Sequence, residues 1–360
     1  MKVLMAAPFT PNGRYAGGIY TIVNGVIRQE ETLCAADLQI VPFETCRIDR
    51  SSSAAAKINL SNIRNFLKLW QAVVGEVREN QPDVFYYHSS TGIALLKDLL
   101  AIKRAKKKTG IKTVLHIHFA DIKQILTGKK VLADWMLKCI NKYVDEVVFL
   151  SKKTREEFIQ AGLTAGSNVI YNYGQIEELP AAEKDGSIVD LLFVGSLDRR
   201  KGILDLLQAV SQQEEAVRLH ICGGGSDPEI LQKMEEYQKQ LGDKVVFHGY
   251  VKGEEKTRIF AEADVLVLPS YGEGLPLVIM EAYQAGCAVI STPVGAIDEV
   301  VGEENGILVQ PGDIDALSAA IKQLTQDKRL LQKMQENNRA EAEKYSIEDF
   351  IAKIASVCKK

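Results

Sequence analysis

DVLVLPSYGEGLPLVIMEAYQAGCAVISTPVGAIDEVVGEENGILVQPGD, residues 264–313, is the segment from which the rest of the chain can be read. Val265-Leu266-Val267-Leu268 is an unbroken β-branched and leucine run, the composition of a parallel strand covered on both faces. Pro269 and Ser270 end it, and a polar, glycine-bearing loop follows from Tyr271 to Pro276. The apolar stretch Leu277–Ala285 predicts a helix stopped by Gly286, and Ala288–Ile290 predicts a second buried strand. The order strand, loop, helix, strand puts the loop at the carboxyl end of a strand. Open α/β sheets bind their ligands there.

Two carboxylates stand eight residues apart in this segment, Glu273 in the loop and Glu281 about one turn inside the helix. A helix amino terminus attracts phosphate through its unpaired N–H groups and its dipole. A carboxylate just inside can accept hydrogen bonds from ribose hydroxyls. Either glutamate alone reads as well as a solvated charge; the surrounding glycines, prolines and strands favour a site.

The succession EGLPLVIMEA (273–282), AGCAVIST (285–292), GAIDEVV (295–301) and NGILVQPGD (305–313) resembles family 4 of the retaining glycosyltransferases. That family's signature is a pair of glutamates separated by seven residues. The resemblance implies the two-domain GT-B fold and a nucleotide-diphospho-sugar donor.

Composition is compatible with this. A chain of 360 residues suits two domains of about 170 residues each. Hydrophobic content of 46% with 25% charge is that of a soluble globular protein. No window approaches the length of uncharged apolar sequence that a transmembrane helix needs. The start MKVLMAAPF reads as a first strand and not as a signal peptide. Six cysteines without any C-x-x-C pair read as reduced core thiols, and a cytoplasmic location is expected. The net charge of −3 hides an asymmetry: residues 1–180 carry 24 Lys+Arg against 17 Asp+Glu, and residues 181–360 carry 20 against 30. A basic first half suggests a meeting with something anionic.

Strand candidates alternate with helical stretches: Val3–Ala7, Leu38–Phe43, Val84–His88, Thr113–Phe119, Glu146–Leu150 and Val169–Tyr171 in the first half. Leu191–Val194, Leu219–Cys222, Val245–Phe247, Val265–Leu268, Ala288–Ile290 and Ile307–Val309 follow in the second. The pattern predicts an α/β chain of two Rossmann-like, doubly wound domains facing across a cleft. The boundary is expected in the polar segment Glu177–Gly186, giving residues 1–178 and 179–344. The amphipathic stretch Tyr345–Val357 reads as a helix, and the resemblance implies that residues 345–360 cross back to the first domain.

Several further positions are candidates. Gly17-Gly18 at a helix start lets backbone approach a ligand closely, and by resemblance it is the glycine loop facing the donor diphosphate. His116 and His118 share a strand face. The family often has a histidine here near the reacting sugar, which favours His118 with His116 as competitor. Asp121 and His88 are weaker candidates. In FVGSLDRRKG, residues 193–202, three consecutive cations open a helix and supply charge to a departing diphosphate. Lys201 matches the family lysine, Ser196 stands where the family has arginine, and Arg199 or Arg200 could replace it. The glycine run Gly223–Gly225 lacks the G-x-G-x-x-G spacing of a dinucleotide fold, which disfavours a dehydrogenase.

The resemblance implies that Glu281 holds the ribose and that Lys201, with Arg199 or Arg200, holds the phosphates. Glu273 and the amides of Gly274, Leu275 and Leu277 would hold the donor sugar, with His118 orienting it. No Asp-x-Asp motif sits beside a suitable loop, so no metal and no cofactor are expected; the resemblance implies a nucleotide-sugar donor, with a UDP-sugar or a GDP-sugar expected. The resemblance implies an acceptor that is a saccharide or lipid-linked saccharide of surface-polysaccharide biosynthesis. An epimerase of the same fold and a silent sugar-nucleotide-binding subunit are the competing readings. The basic run Lys103–Lys108 reads first as a solvated helix end and alternatively as peripheral contact with an anionic membrane, to which Phe66, Leu67, Leu69 and Trp70 could add insertion although core packing suits them better; no motif points to nucleic acid.

Overall fold

The structure is a computed structural model, and it describes residues 1–9, 17–45, 60–126, 130–176, 187–214 and 216–360. The chain divides into two compact units, Met1–Asn172 with Ile347–Lys360, and Tyr173–Ser346. The segment 177–186, where the sequence suggests a boundary, lies outside the described residues.

Each unit is built on a six-stranded sheet whose pairings are all parallel. In the first, β1 (Lys2–Ala7), β2 (Gln39–Glu44), β3 (Val84–Ser89), β4 (Lys112–Ile117), β5 (Glu146–Phe149) and β6 (Gly166–Val169) lie in the order β2-β1-β3-β4-β5-β6. In the second, β7 (Val189–Val194), β8 (Val217–Cys222), β9 (Val245–Gly249), β10 (Val265–Leu268), β11 (Ala288–Ser291) and β12 (Gly306–Leu308) lie in the order β12-β11-β10-β7-β8-β9. This is the two-domain, doubly wound α/β class. Successive parallel strands need crossover connections, and helices supply them.

The second order has the form 3-2-1-4-5-6, which reverses between β7 and β10. There the crossovers leave to opposite faces, and a crevice opens at the carboxyl ends of the two strands. In the first unit the corresponding reversal falls between β1 and β3. All four residues of β10 are buried, as a strand covered on both faces requires.

Several elements depart from expectation by two or three residues; β4, expected over Thr113–Phe119, spans Lys112–Ile117, so that His118 follows the strand. The edge strand β6 runs over Gly166–Val169 in place of Val169–Tyr171, paired from Glu146↔Gly166 to Phe149↔Val169. Its half-buried Gly-Ser-Asn sequence lacks the apolar run that marks a covered strand. The last helix spans Ile347–Lys359 and not Tyr345–Val357, because Ala342–Tyr345 forms a separate 3₁₀ turn within the second unit. Phe350, Ile351 and Ile354 of this helix are buried within the first unit, and Lys112 Nζ donates to the Cys358 carbonyl at 2.9 Å.

A buried amide clamps the second unit. Asn338, on the helix Lys328–Glu341, donates to the carbonyls of Cys287 at 2.7 Å and Asn305 at 3.0 Å, and accepts from Asn305 Nδ2 at 2.8 Å. Asn338→Ala strands buried polar groups at three points. It should lower unfolding free energy by about 2–4 kcal/mol in a urea titration, and a loss under about 1 kcal/mol would show that the clamp does not act.

Candidate active site

The carboxyl end of β7 leads into Gly195–Asp198 and a short 3₁₀ turn, Arg199–Lys201. Asp198 caps that turn by accepting from the Lys201 amide at 3.0 Å, and the Ser196 hydroxyl donates to Asp198 at 2.6 Å. Ser196, which replaces the family arginine, is thus occupied within its own loop. Gly223 accounts for the neighbouring glycine run: a Cβ there would fall 1.8 Å from the Gly195 carbonyl oxygen. Those glycines let the β7 and β8 loops touch.

The loop after β10 lies beside this turn. The Tyr271 amide donates to the Arg200 carbonyl at 2.8 Å, and the Arg200 guanidinium donates to the Gly272 carbonyl at 2.8 Å. Glu273 is buried, and its Oε1 accepts from Lys201 Nζ at 2.5 Å. Arg200 stands 3.9 Å from its other oxygen. Arg199 turns away and pairs with Glu229 at 2.5 Å, both side chains well exposed. The arginine beside the β10 loop is therefore Arg200.

Gly274 accepts from the Ala296 amide at 2.8 Å, and Leu275 is buried beneath the loop. Gly295, at φ +68°, must be glycine, since a Cβ would fall 2.4 Å from the Gly274 carbonyl oxygen. Leu277 opens the nine-residue helix Leu277–Ala285, whose N-cap, Pro276, makes no side-chain cap hydrogen bond.

Glu281 sits on this helix with no exposed surface. Its Oε1 accepts from Lys256 Nζ at 2.5 Å, and its Oε2 has no protein partner. Sequence reasoning missed Lys256. The available signal was helical spacing: Lys256 lies four residues before the buried Phe260, over whose ring its ammonium stands at 5.8 Å. That spacing places it on the inward face of the helix Gly253–Glu262.

Two family models match the chain: "Glycosyltransferase Family 4" over residues 33–173 and "Glycosyl transferases group 1" over residues 189–327. Between them they account for most of both units. The chain is a family 4 glycosyltransferase. Among its relatives is the lipopolysaccharide 1,6-galactosyltransferase of Escherichia coli, 29% identical over 83% of this chain and 82% of that one. Among solved structures, sucrose-phosphate synthase from Thermosynechococcus elongatus has a TM-score of 0.76 at 21% identity, over 99% of this chain and 98% of that one. HepE from Anabaena, in complex with UDP, has a TM-score of 0.74 at 19% identity, with all of both chains covered. These last two share the fold.

In the glycosyltransferase's first unit, Gly17 caps the helix Gly18–Ile27 in an extended conformation at φ −77°. A Cβ on Gly17 or Gly18 would meet nothing within 4 Å. The fold itself does not demand glycine at this pair. The loop 10–16 before it lies outside the described residues.

The histidines of this unit form one cluster. Register sets His88 of β3 opposite His116 of β4, and His118 follows on the same face. His88 Nδ1 lies 2.7 Å from His118 Nε2, the His116 and His118 rings stack with centroids 4.1 Å apart, and His116 Nδ1 lies 3.0 Å from the Tyr86 hydroxyl. Asp121 instead accepts from the Lys123 amide at 2.9 Å at the start of a short helix. Burial lowers the basicity of all three rings, reinforced at His88 and His116 by their histidine neighbours; for His118 it is lowered to about 3.

The folded rings therefore refuse protons that the unfolded chain accepts below about pH 6.5. Stability is full above that pH and falls as pH drops through it. Each ring held neutral contributes a slope of about 1.4 kcal/mol per pH unit. Urea titrations at pH 7.5 and 5.5 should show this loss, and His88→Gln should reduce it. An unchanged slope in that variant would mean that His88 titrates freely.

Proposed function

We propose that the enzyme transfers a sugar from a nucleotide-diphospho-sugar, with retention at the anomeric carbon and without a metal at the donor phosphates. The observation that carries this reading is the buried Glu281, with one oxygen on Lys256 and the other without a protein partner, beside the reversal point of the second sheet. A ribose hydroxyl donating to Glu281 Oε2 would satisfy that oxygen.

The phosphates would meet Lys201 and Arg200. Lys201 is paired with Glu273. A diphosphate competing for Lys201 would free the Glu273 carboxylate to accept from sugar hydroxyls, so one exchange of partners prepares both ends of the donor. The amides at Gly274, Leu275 and Leu277 would add donors at an uncapped helix start. Lys201 and Arg200 would stabilise charge on the leaving diphosphate, a role otherwise open to a metal. The leaving phosphate oxygen would take the acceptor proton on the same face of the sugar, with His118 orienting the ring. Residues 1–178 with 345–360 would serve the acceptor and 179–344 the donor.

HepE is solved with UDP and with UDP-glucose, which favours a UDP-sugar over a GDP-sugar. The lipopolysaccharide galactosyltransferase among the relatives favours a saccharide or lipid-linked acceptor of a surface polysaccharide. None of the described helices is long and apolar enough to cross a membrane. A peripheral, cytoplasmic-face location is supported by exposed Lys107 and Lys108 on the helix Gly92–Thr109. Lys106 of the same run is engaged with Asp145 at 2.7 Å, and Arg104 lies over the Trp70 ring at 3.8 Å.

Titration calorimetry should show UDP binding that Glu281→Gln weakens by about tenfold or more, equivalent to about 1.4 kcal/mol. Lys201→Ala should depress turnover about a hundredfold, near 2.7 kcal/mol. Unchanged UDP affinity in Glu281→Gln would misplace the ribose. For the membrane, sedimentation with phosphatidylserine vesicles should fall in Lys107→Glu/Lys108→Glu, and equal sedimentation would remove that face from consideration.

A further inference from the structure

The chain has five histidines. Two belong to the second sheet, where His220 bonds to His248 at 2.9 Å and to Asp190 at 3.1 Å. The other three are gathered on one face of the first sheet. We propose that His88, His116 and His118 form a transition-metal site, with Zn²⁺ the fitting occupant.

The geometry is nearly assembled. One ring nitrogen from each histidine lies within 4.8 Å of the others. Three imidazoles on a tetrahedral Zn²⁺, each bonded at about 2.0–2.1 Å, have their nitrogens about 3.3 Å apart. The His88–His118 nitrogens, at 2.7 Å, are already closer than that. Closing the remainder requires the stacked His116 and His118 rings, 27° apart, to turn so that their in-plane lone pairs converge.

A second observation points to a ligand. His88 Nε2, His116 Nε2 and His118 Nδ1 are buried ring nitrogens without a hydrogen-bond partner. With His88 Nδ1 and His118 Nε2 as the close pair, His116 Nε2 is the orphan on the ligating set, and a buried polar atom is rarely left unpartnered. The outer contacts are those that a ligating histidine uses. Tyr86 holds His116 Nδ1, which leaves Nε2 for the ion, and Phe350 stacks on His116 with centroids 6.2 Å apart.

Donor chemistry narrows the occupant. Three imidazoles without carboxylate or thiolate suit Zn²⁺, Cu²⁺, Ni²⁺ or Co²⁺, and not Mg²⁺ or Ca²⁺. His118 is the least buried of the three, so its ring lies nearest the surface. If His118 meets the donor sugar as proposed above, the bound ion removes it from that contact, and Zn²⁺ acts as a reversible inhibitor. The binding itself does not rest on that reading.

The experiment uses the full chain, stripped with EDTA and then freed of chelator. Calorimetry should show one Zn²⁺ per chain, and Co²⁺ should give the intense visible bands of a tetrahedral site. His88→Gln and His118→Gln should each weaken Zn²⁺ by about tenfold or more, whereas His248→Gln should not. His118 is the least buried of the three, so its variant keeps the core, and circular dichroism verifies that each variant is folded. No Zn²⁺ uptake by wild type, or affinity that survives both cluster variants, or equal loss in His248→Gln, would overturn the site. Zn²⁺ that binds without slowing transfer would leave the site standing and overturn the role of His118.

Discussion

A buried carboxylate needs a cation, and in the second unit that requirement organises everything near the reversal of the sheet. Glu281 has no exposed surface and Glu273 almost none, yet each carries a lysine at 2.5 Å. Removing one partner of such a pair would leave an unpaired buried charge, worth about 3–5 kcal/mol. Lys201 and Lys256 are therefore fixed as firmly as the glutamates. The pairs also tie four elements together: the turn after β7, the helix before β10, the loop after β10 and the helix after that loop.

Neither pair completes the bonding capacity of its carboxylate. Glu281 keeps a bare oxygen, and Glu273 has only Arg200 at 3.9 Å on its second oxygen. A wholly structural ion pair gains from additional hydrogen bonds to its remaining lone pairs. A binding site gains from leaving them for a ligand. The sheet topology places both carboxylates here: at the reversal between β7 and β10 the crossovers leave to opposite faces and the loops diverge. The histidine cluster at the ends of β3 and β4 follows the same rule, with orphan nitrogens at the carboxyl edge of a parallel sheet.

Most of the fold was legible because parallel strands buried on both faces write themselves as short apolar runs. Val265–Leu268 and the helix Leu277–Ala285 have the bounds read from sequence. The edge strand β6 was misplaced by three residues because Gly166-Ser167-Asn168 carries no such signature. The positions of Glu273, Glu281 and Lys201 were legible from local motifs. Lys256 was not, since its partner lies 25 residues on and charge pairing across two helices leaves no contiguous pattern. The choice between Arg199 and Arg200 was equally closed to sequence. It depends on which side chain turns toward Gly272, and a one-residue step along a 3₁₀ turn rotates a side chain by about 120°.

That rotation has a consequence for how the diphosphate would be met. Arg199 is committed to Glu229 in water, where an exposed ion pair contributes little. Arg200 is fixed by the Gly272 carbonyl and by its approach to Glu273. With Ser196 in place of the family arginine, the loop after β7 has one cation fewer on its amino-terminal side, and its hydroxyl is held by Asp198. Positive charge for the proposed phosphate contacts would then rest on Lys201 and Arg200, both of which lean on Glu273. A carboxylate shared by two cations holds them in place without saturating them, and a diphosphate bound as proposed would compete with it for both. Pre-positioning of this kind lowers the ordering cost of binding. It also makes Glu273, and not the lysine, the residue whose loss should scatter the phosphate contacts.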